Sequence, residues 1–431
     1  MTRSLHLGTA KVDITPAMPV PLAGFAHRTG TFEHIAQPLY ARIHCLQQSR
    51  VSGSKTTVLL VSADLIWWGS DLVNRLSPKL RERYGLDSVL LHATHNHSGP
   101  QTSGCFTDAL GRPDPGYLQE LERRLESGIE QALQTMEPVM MEKGTGHCRI
   151  GFNRRKDIDG HIEMAPNENG PVDPEVTVIR FRTPDGRTKG LFVHYTCHPT
   201  TTGDSEISPE YCGAALERIE QALGSGVTGA FLQGCCGDIR PALVQDGQFY
   251  RGHRMEVERF GSWLCEEALR ICCQPMNELA PALLPSHTLV LPLPFQSVPT
   301  VEELEEQAKL ADIQGERARL LLGQPTRRQG SIPLEITRLT LAKELSLITF
   351  NAEMVVDYGL FVKKASRGTM LPLGYTNGMI GYVPTAEQLE QGGYESHGSV
   401  PYFGLQAPFQ PQIESLIRNA LAQEIREEIE P

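Results

Sequence analysis

"LHATHNHSGP", residues 91–100, closes an apolar run with three histidines in six positions. The run that feeds it, "SVLLHAT" (88–94), has strand character, so the histidines fall where a strand gives way to a loop. Residues two apart on an extended chain point to one side. His95 and His97 can therefore face a single pocket if the extension persists past the strand. Such a pair can hold a metal, move protons or fill a polar corner, and only partners elsewhere in the chain decide which.

Those partners stand at the ends of other strand-like runs. "TTVLLVSADL" (56–65) ends near Asp64, and "VTVIRFRT" (176–183) alternates apolar and polar residues. "KGLFVHYTCHPT" (189–200) ends at His198, "TGAFLQGCCGD" (228–238) at Asp238, and "LSLITFNAE" (345–353) delivers Glu353. Helical spacing fills the intervals. Residues 117–136 place Leu118, Leu121, Leu125, Ile129 and Leu133 on one face, and 209–223 open with Pro209 behind a Ser208 cap. Residues 300–322 and 410–429 read as charged amphipathic helices.

Strands alternating with helices predict an α/β architecture, a mixed α+β sheet core with flanking helices. In such sheets functional groups collect beyond the carboxyl ends of strands, which is where His95, His198, Asp238 and Glu353 fall. Two well-separated histidines and a carboxylate make a catalytic zinc set with a position left for water or substrate. Cys235 and Cys236, adjacent at a buried strand end, read as packing residues rather than nucleophiles. Tyr375, Tyr382 and Tyr394 lie among glycines, as in a loop that lines a pocket.

Composition narrows the field. The 431 residues carry a formal net charge of −11, which argues against nucleic acid or an anionic membrane as the main partner. No stretch approaches the ~18 uninterrupted apolar residues of a membrane span. The N-terminus lacks the apolar core of a secretory signal. Ten cysteines occur without CxxC spacing, which predicts reduced thiols in a cytoplasmic protein. No dinucleotide, P-loop or GxSxG motif is present, so nucleotide cofactors and a serine nucleophile are unsupported. Residues 1–431 are expected to form one catalytic domain, with the Pro- and Leu-rich stretch 275–300 as the joint between two lobes.

"ATHNHSGP" resembles the ATHTHSGPGG signature of the neutral/alkaline non-lysosomal ceramidases. The similarity continues in chain order through "GTAKVDITP" (8–16), "GFNRR" (151–155), "VDPEVTVIRF" (172–181), "HPT" (198–200), "GCCGDIRPA" (234–242), "FNAEM" (350–354) and "TNGMIGYVPTAEQ" (376–388). The resemblance implies a ceramidase-like catalytic domain with a zinc ion held by His95, His198, Glu353 and Tyr382. His97 would then serve as proton or oxyanion partner, and Arg154 would face the site.

Ceramidases cut the amide between a fatty acid and sphingosine. Where their GDVSPN motif has a serine, this chain has Arg240. Neither the family's secretory leader nor its trailing immunoglobulin-like domain is expected here. The expected reaction is hydrolysis of an amide or ester by a zinc-activated water, with Tyr382 at the tetrahedral intermediate and Asp238 orienting the loop or a histidine. A fixed charge at Arg240 favours a small polar or anionic substrate over ceramide, unless that guanidinium turns into a salt bridge. A carbohydrate esterase or deacetylase using the same zinc is one alternative. A homologue that binds metal or ligand without catalysis is the other.

Overall fold

The computed structural model describes residues 5–49 and 53–429. The N-terminal stretch read for a leader begins in residues 1–4, outside the described residues. Nine strands form a mixed sheet in the order Thr228–Gln233, Thr188–Tyr195, Glu175–Arg182, Glu137–His147, Leu5–Asp13, Tyr40–Ser49, Lys55–Ala63 and Ser88–Ala93, with Asn277–Leu279 added to Glu137–His147. Pairing is antiparallel except for the last pair at each edge, which is parallel. Side chains tie Thr228–Gln233 to the two strands at the other end of the sheet: Ser62 Oγ donates to Phe231 O at 2.8 Å, and Gln233 N donates to His92 Nε2 at 2.9 Å. The sheet is thus curled until its edges meet, and the loops after Ala93 and Tyr195 open side by side.

A second sheet, Ser286–Pro294, Ser331–Ala342, Leu345–Phe350 and Met370–Leu373, packs against the first. Leu339, Leu347 and Leu371 share one buried cluster with Leu5, Val58 and Phe192 of the large sheet. Residues 275–300 run from one sheet to the other, since Asn277–Leu279 pairs with the large sheet and Ser286–Pro294 opens the small one. The strand predicted over 345–353 stops at Phe350. Glu353–Met354 then pairs separately, in parallel, with Tyr382–Val383.

The helix Pro115–Gln134 buries Leu121, Leu125 and Ile129, and Asp114 caps it by accepting from Tyr117 N. The helix after Ser208 starts at Glu210, one residue later than Pro209 implied. The helix predicted over 300–322 is two helices, Val301–Gln307 and Ile313–Gly323. Asp312 breaks it by accepting from Gln314 N and Gly315 N, which starts a new helix at the next residue. The last helix, Ile413–Ile429, begins three residues later than its amphipathic pattern.

No described helix is long and apolar enough to cross a membrane. All ten cysteines are free, and most are buried. Asp64 is fully buried and committed to a cation already: its Oδ2 lies 3.1 Å from Arg42 Nη1 and accepts from Tyr40 N at 2.9 Å.

Candidate metal centre and its pocket

The strand that leads into the opening motif ends at Ala93, so extension does not carry His95 and His97 to a common side. His95 instead adopts a left-handed backbone, φ 68°, which costs a non-glycine residue about 1 kcal/mol or more. Its neighbours hold it there. His95 Nδ1 donates to Ile66 O at 2.9 Å, the Tyr375 ring stacks on its imidazole at 3.9 Å, and Asn96 Nδ2 donates to Ser208 O at 2.7 Å. This turn, rather than strand alternation, brings His97 Nε2 to 3.2 Å from His95 Nε2. His92 stays in the strand, buried between Thr376 Oγ1 and Gln233 N.

His198 follows the strand Thr188–Tyr195, next to the edge strand Thr228–Gln233 and parallel to it. Its Nδ1 donates to the carbonyls of Cys236 and Ile239, at 2.6 and 2.8 Å. Burial, reinforced by Arg154, pushes its imidazole down to about 4, so it is neutral near pH 7. With the proton fixed on Nδ1, the lone pair of Nε2 points inward. His95 is fixed in the same way by Ile66.

Glu353, three residues beyond the second sheet's strand Leu345–Phe350, places Oε2 3.3 Å from His95 Nε2 and 3.4 Å from His198 Nε2. Burial works to raise the Glu353 carboxyl, but the two imidazoles outweigh it and hold the group well below its ordinary value. Neither Glu353 Oε2 nor His198 Nε2 has a hydrogen-bond partner, although both are buried. His95 Nε2, His198 Nε2 and Glu353 Oε2 thus converge, and the last two are buried without a hydrogen-bond partner. Two imidazole nitrogens and a carboxylate oxygen are a donor set that suits a divalent metal of the zinc type. The imidazole nitrogens of His95, His97 and His198 also lie within 4.8 Å of one another, so His97 is within reach of the same ion.

Tyr382 is the strand partner of Glu353. Its hydroxyl accepts from Arg154 Nη2 at 3.1 Å, and Arg154 Nε donates to Glu395 Oε1 at 2.7 Å. Arg155 Nη1 holds the other oxygen of Glu395 at 2.7 Å. Glu395 was missed in the sequence, where only the adjacent Tyr394 stood out. Asp238 does not reach the histidines. Its carboxylate accepts from Val356 N at 2.8 Å and from Gln388 Nε2 at 3.1 Å, while its carbonyl accepts from Arg154 N. It ties the loop after Gln233 to the segment that carries Glu353, a positioning task.

A cavity of about 270 Å³ opens onto His97, His198 and Tyr382, walled by Phe25, Tyr394 and Tyr402. Arg154 and Arg240 both line it. Arg240 makes no ion pair among the described residues, so the salt-bridge alternative is not realised. Its guanidinium sits 4.5 Å from the centre of the Phe249 ring, with Nε buried and unpartnered. Arg251 also lines the cavity; no motif marks it in the sequence, because it lies in an irregular segment.

The sequence pattern of the family described as "Neutral/alkaline non-lysosomal ceramidase, N-terminal" matches residues 5–254. A curated relative, the neutral ceramidase of Pseudomonas aeruginosa, is 26% identical over 252 residues, 55% of this chain and 37% of its own length. The match therefore spans little more than a third of that relative. The crystal structure of neutral ceramidase from Pseudomonas aeruginosa superposes over 99% of this chain and 74% of its own, with a TM-score of 0.75 at 20% identity. A ceramidase complexed with C2 gives 0.74 over 98% of this chain and 75% of its own, also at 20% identity. The mixed α/β fold is the same.

Proposed function

Because this chain belongs to the neutral/alkaline non-lysosomal ceramidase family, we propose that it is a zinc-dependent hydrolase of an amide bond, with a small polar or anionic substrate in place of ceramide. The observation that carries the proposal is the convergence of His95 Nε2, His198 Nε2 and Glu353 Oε2, the last two buried without a hydrogen-bond partner. Tyr382, beside Glu353 in the strand pair, is proposed as the fourth ligand. A zinc ion held there supplies Lewis acidity toward a carbonyl and lowers the pKa of a water to roughly 7.

The chain's own residues supply the rest. Hydrolysis adds the oxygen of water to the acyl carbon, breaks the C–N bond and delivers a proton to the departing nitrogen. His97 is suited to carry that proton. Its place supports this: it lines the cavity beside His198, with Nε2 3.2 Å from His95 Nε2, and burial with the neighbouring histidines keeps the ring neutral at rest. Arg154, fixed by Glu395, donates to the Tyr382 hydroxyl and so aims it. Asp238 keeps the two loops in register.

The size of the cavity supports a small substrate, since about 270 Å³ lies at the lower edge of the roughly 300–1,000 Å³ usual for ligand pockets. The ten free cysteines support a reducing, cytoplasmic setting. The test is metal analysis of the purified protein joined to a hydrolysis screen of N-acyl and O-acyl compounds, ceramide included. One zinc per chain with turnover of small N-acyl compounds is expected. A preference for acetyl esters or N-acetyl sugars would move the chain to the esterase or deacetylase class. Zinc without any turnover would make it a binding protein.

A further inference from the structure

We infer that Arg240 and Arg251 together form a receptor for a carboxylate or phosphate group of the substrate, which makes the substrate class an anionic acyl amide; the inference rests on the hydrolase reading and sharpens it. Both side chains line the cavity that opens onto His97 and His198. Each guanidinium lies over an aromatic ring, Arg240 at 4.5 Å from the Phe249 centroid and Arg251 at 4.0 Å from that of Phe25. Stacking fixes the plane of a guanidinium and leaves its N–H edge free to bind an oxyanion in two-pronged fashion. Neither makes a hydrogen bond or an ion pair to a side chain among the described residues, and Arg240 Nε is buried without a partner.

Arg154 differs from these two. Arg154, the third arginine that lines the cavity, is neutralised by Glu395. Arg240 is half-buried and Arg251 exposed; burial, then the charges of Arg154 and Arg251, disfavour the Arg240 cation. The carboxylate whose charge favours the Arg251 cation, Glu210, is fully buried, makes no ion pair with it and accepts from Thr202 N. An anion from outside is what this corner lacks. Its position on the wall of the metal pocket puts such an anion on the same molecule as the scissile amide, on a substrate of the type of an N-acyl amino acid or an N-acyl aminoalkyl phosphate.

The experiment uses inorganic phosphate as probe, titrated calorimetrically into the zinc-loaded protein and again after chelation. Arg240→Gln and Arg251→Gln should each weaken phosphate binding about 10- to 100-fold, while chelation leaves the affinity of the wild type nearly unchanged. Arg240→Lys and Arg251→Lys, which keep the charge, should recover part of the loss. A second arm compares an N-acylglycine, the matching N-acyl phosphoethanolamine and the matching neutral N-acylethanolamine. The wild type should favour one of the anionic pair by kcat/KM, which tells carboxylate from phosphate, and both Gln variants should lose that preference.

Phosphate affinity unchanged in both Gln variants that remain folded by circular dichroism would overturn the receptor, as would binding abolished by chelation alone. Preference for the neutral compound would overturn it too. Phosphate held through the two arginines with no turnover of any acyl compound would support the receptor and refute the hydrolase instead.

Discussion

Glu353 and Tyr382 are register partners across a two-residue parallel strand pair, so one short ladder sets the spacing between a buried carboxylate and a buried phenol. Tyr382→Phe keeps the ring, which packs against Phe403 at 5.7 Å, and removes only the hydroxyl that Arg154 aims. If that hydroxyl serves the transition state, kcat falls about 10²–10³-fold with the fold intact. Steady-state kinetics beside circular dichroism check this, and a kcat within threefold of wild type, roughly 0.6 kcal/mol, would remove Tyr382 from the machinery.

His95→Ala and His198→Ala each delete one of the two imidazoles that face Glu353 Oε2. Metal bound per chain, measured by mass spectrometry after dialysis against dilute zinc, should fall by at least about tenfold in both. Zinc retained at full occupancy by both variants would sink the assignment.

His97→Ala separates two jobs. Loss of a proton carrier should leave the metal in place and lower the rate about 10²–10⁴-fold. Because the His97 nitrogen lies within reach of those of His95 and His198, zinc lost from this variant would make His97 a ligand instead.

Asp238 yields a pH test. Burial holds its carboxyl up, at about 6 against an ordinary 3.8. The folded protein therefore grips this proton more tightly than the unfolded chain does. The resulting stability is fully present below about pH 4 and is lost as the pH rises through 6. Asp238→Asn cannot titrate, so its stability relative to wild type should rise across that window by an amount on the order of 2–3 kcal/mol. Urea unfolding of both proteins at pH 4 and pH 7.5 measures it. Metal release in acid affects both alike and cancels in the comparison, and a pH-independent difference would contradict the prediction.

The parts of the fold that were legible in the sequence are those with strong period and length. The strands ending near Asp64, His95, His198 and Asp238 stand within a few residues of their expected places, because apolar runs bounded by turn residues leave little choice. The left-handed turn at His95 was not legible, since the residue that adopts it is not a glycine and is held by Ile66, Tyr375 and Asn96, two of them distant in sequence or from another element. The break before Ile313 was present in the sequence as Asp312 but was masked by the charged periodicity on either side. Asp238 sits at a strand end like the histidines, and only the long-range pairing with Val356 and Gln388 turns it away from them. Arg251 belongs to an irregular loop, and its approach to Phe25 comes from tertiary packing alone.

The distance along the chain between the metal-facing groups has a consequence for biosynthesis. His95 and His198 both lie within the matched stretch 5–254, whereas Glu353 and Tyr382 lie well beyond it. A ribosome adding about 5–20 residues per second needs on the order of 10 s to pass from His198 to Glu353. For that interval the two imidazoles face no carboxylate, and the second sheet that will bring one does not exist. On the proposed ligand set, the site is complete only late in synthesis, and a product truncated before Glu353 would hold zinc more weakly than the full chain.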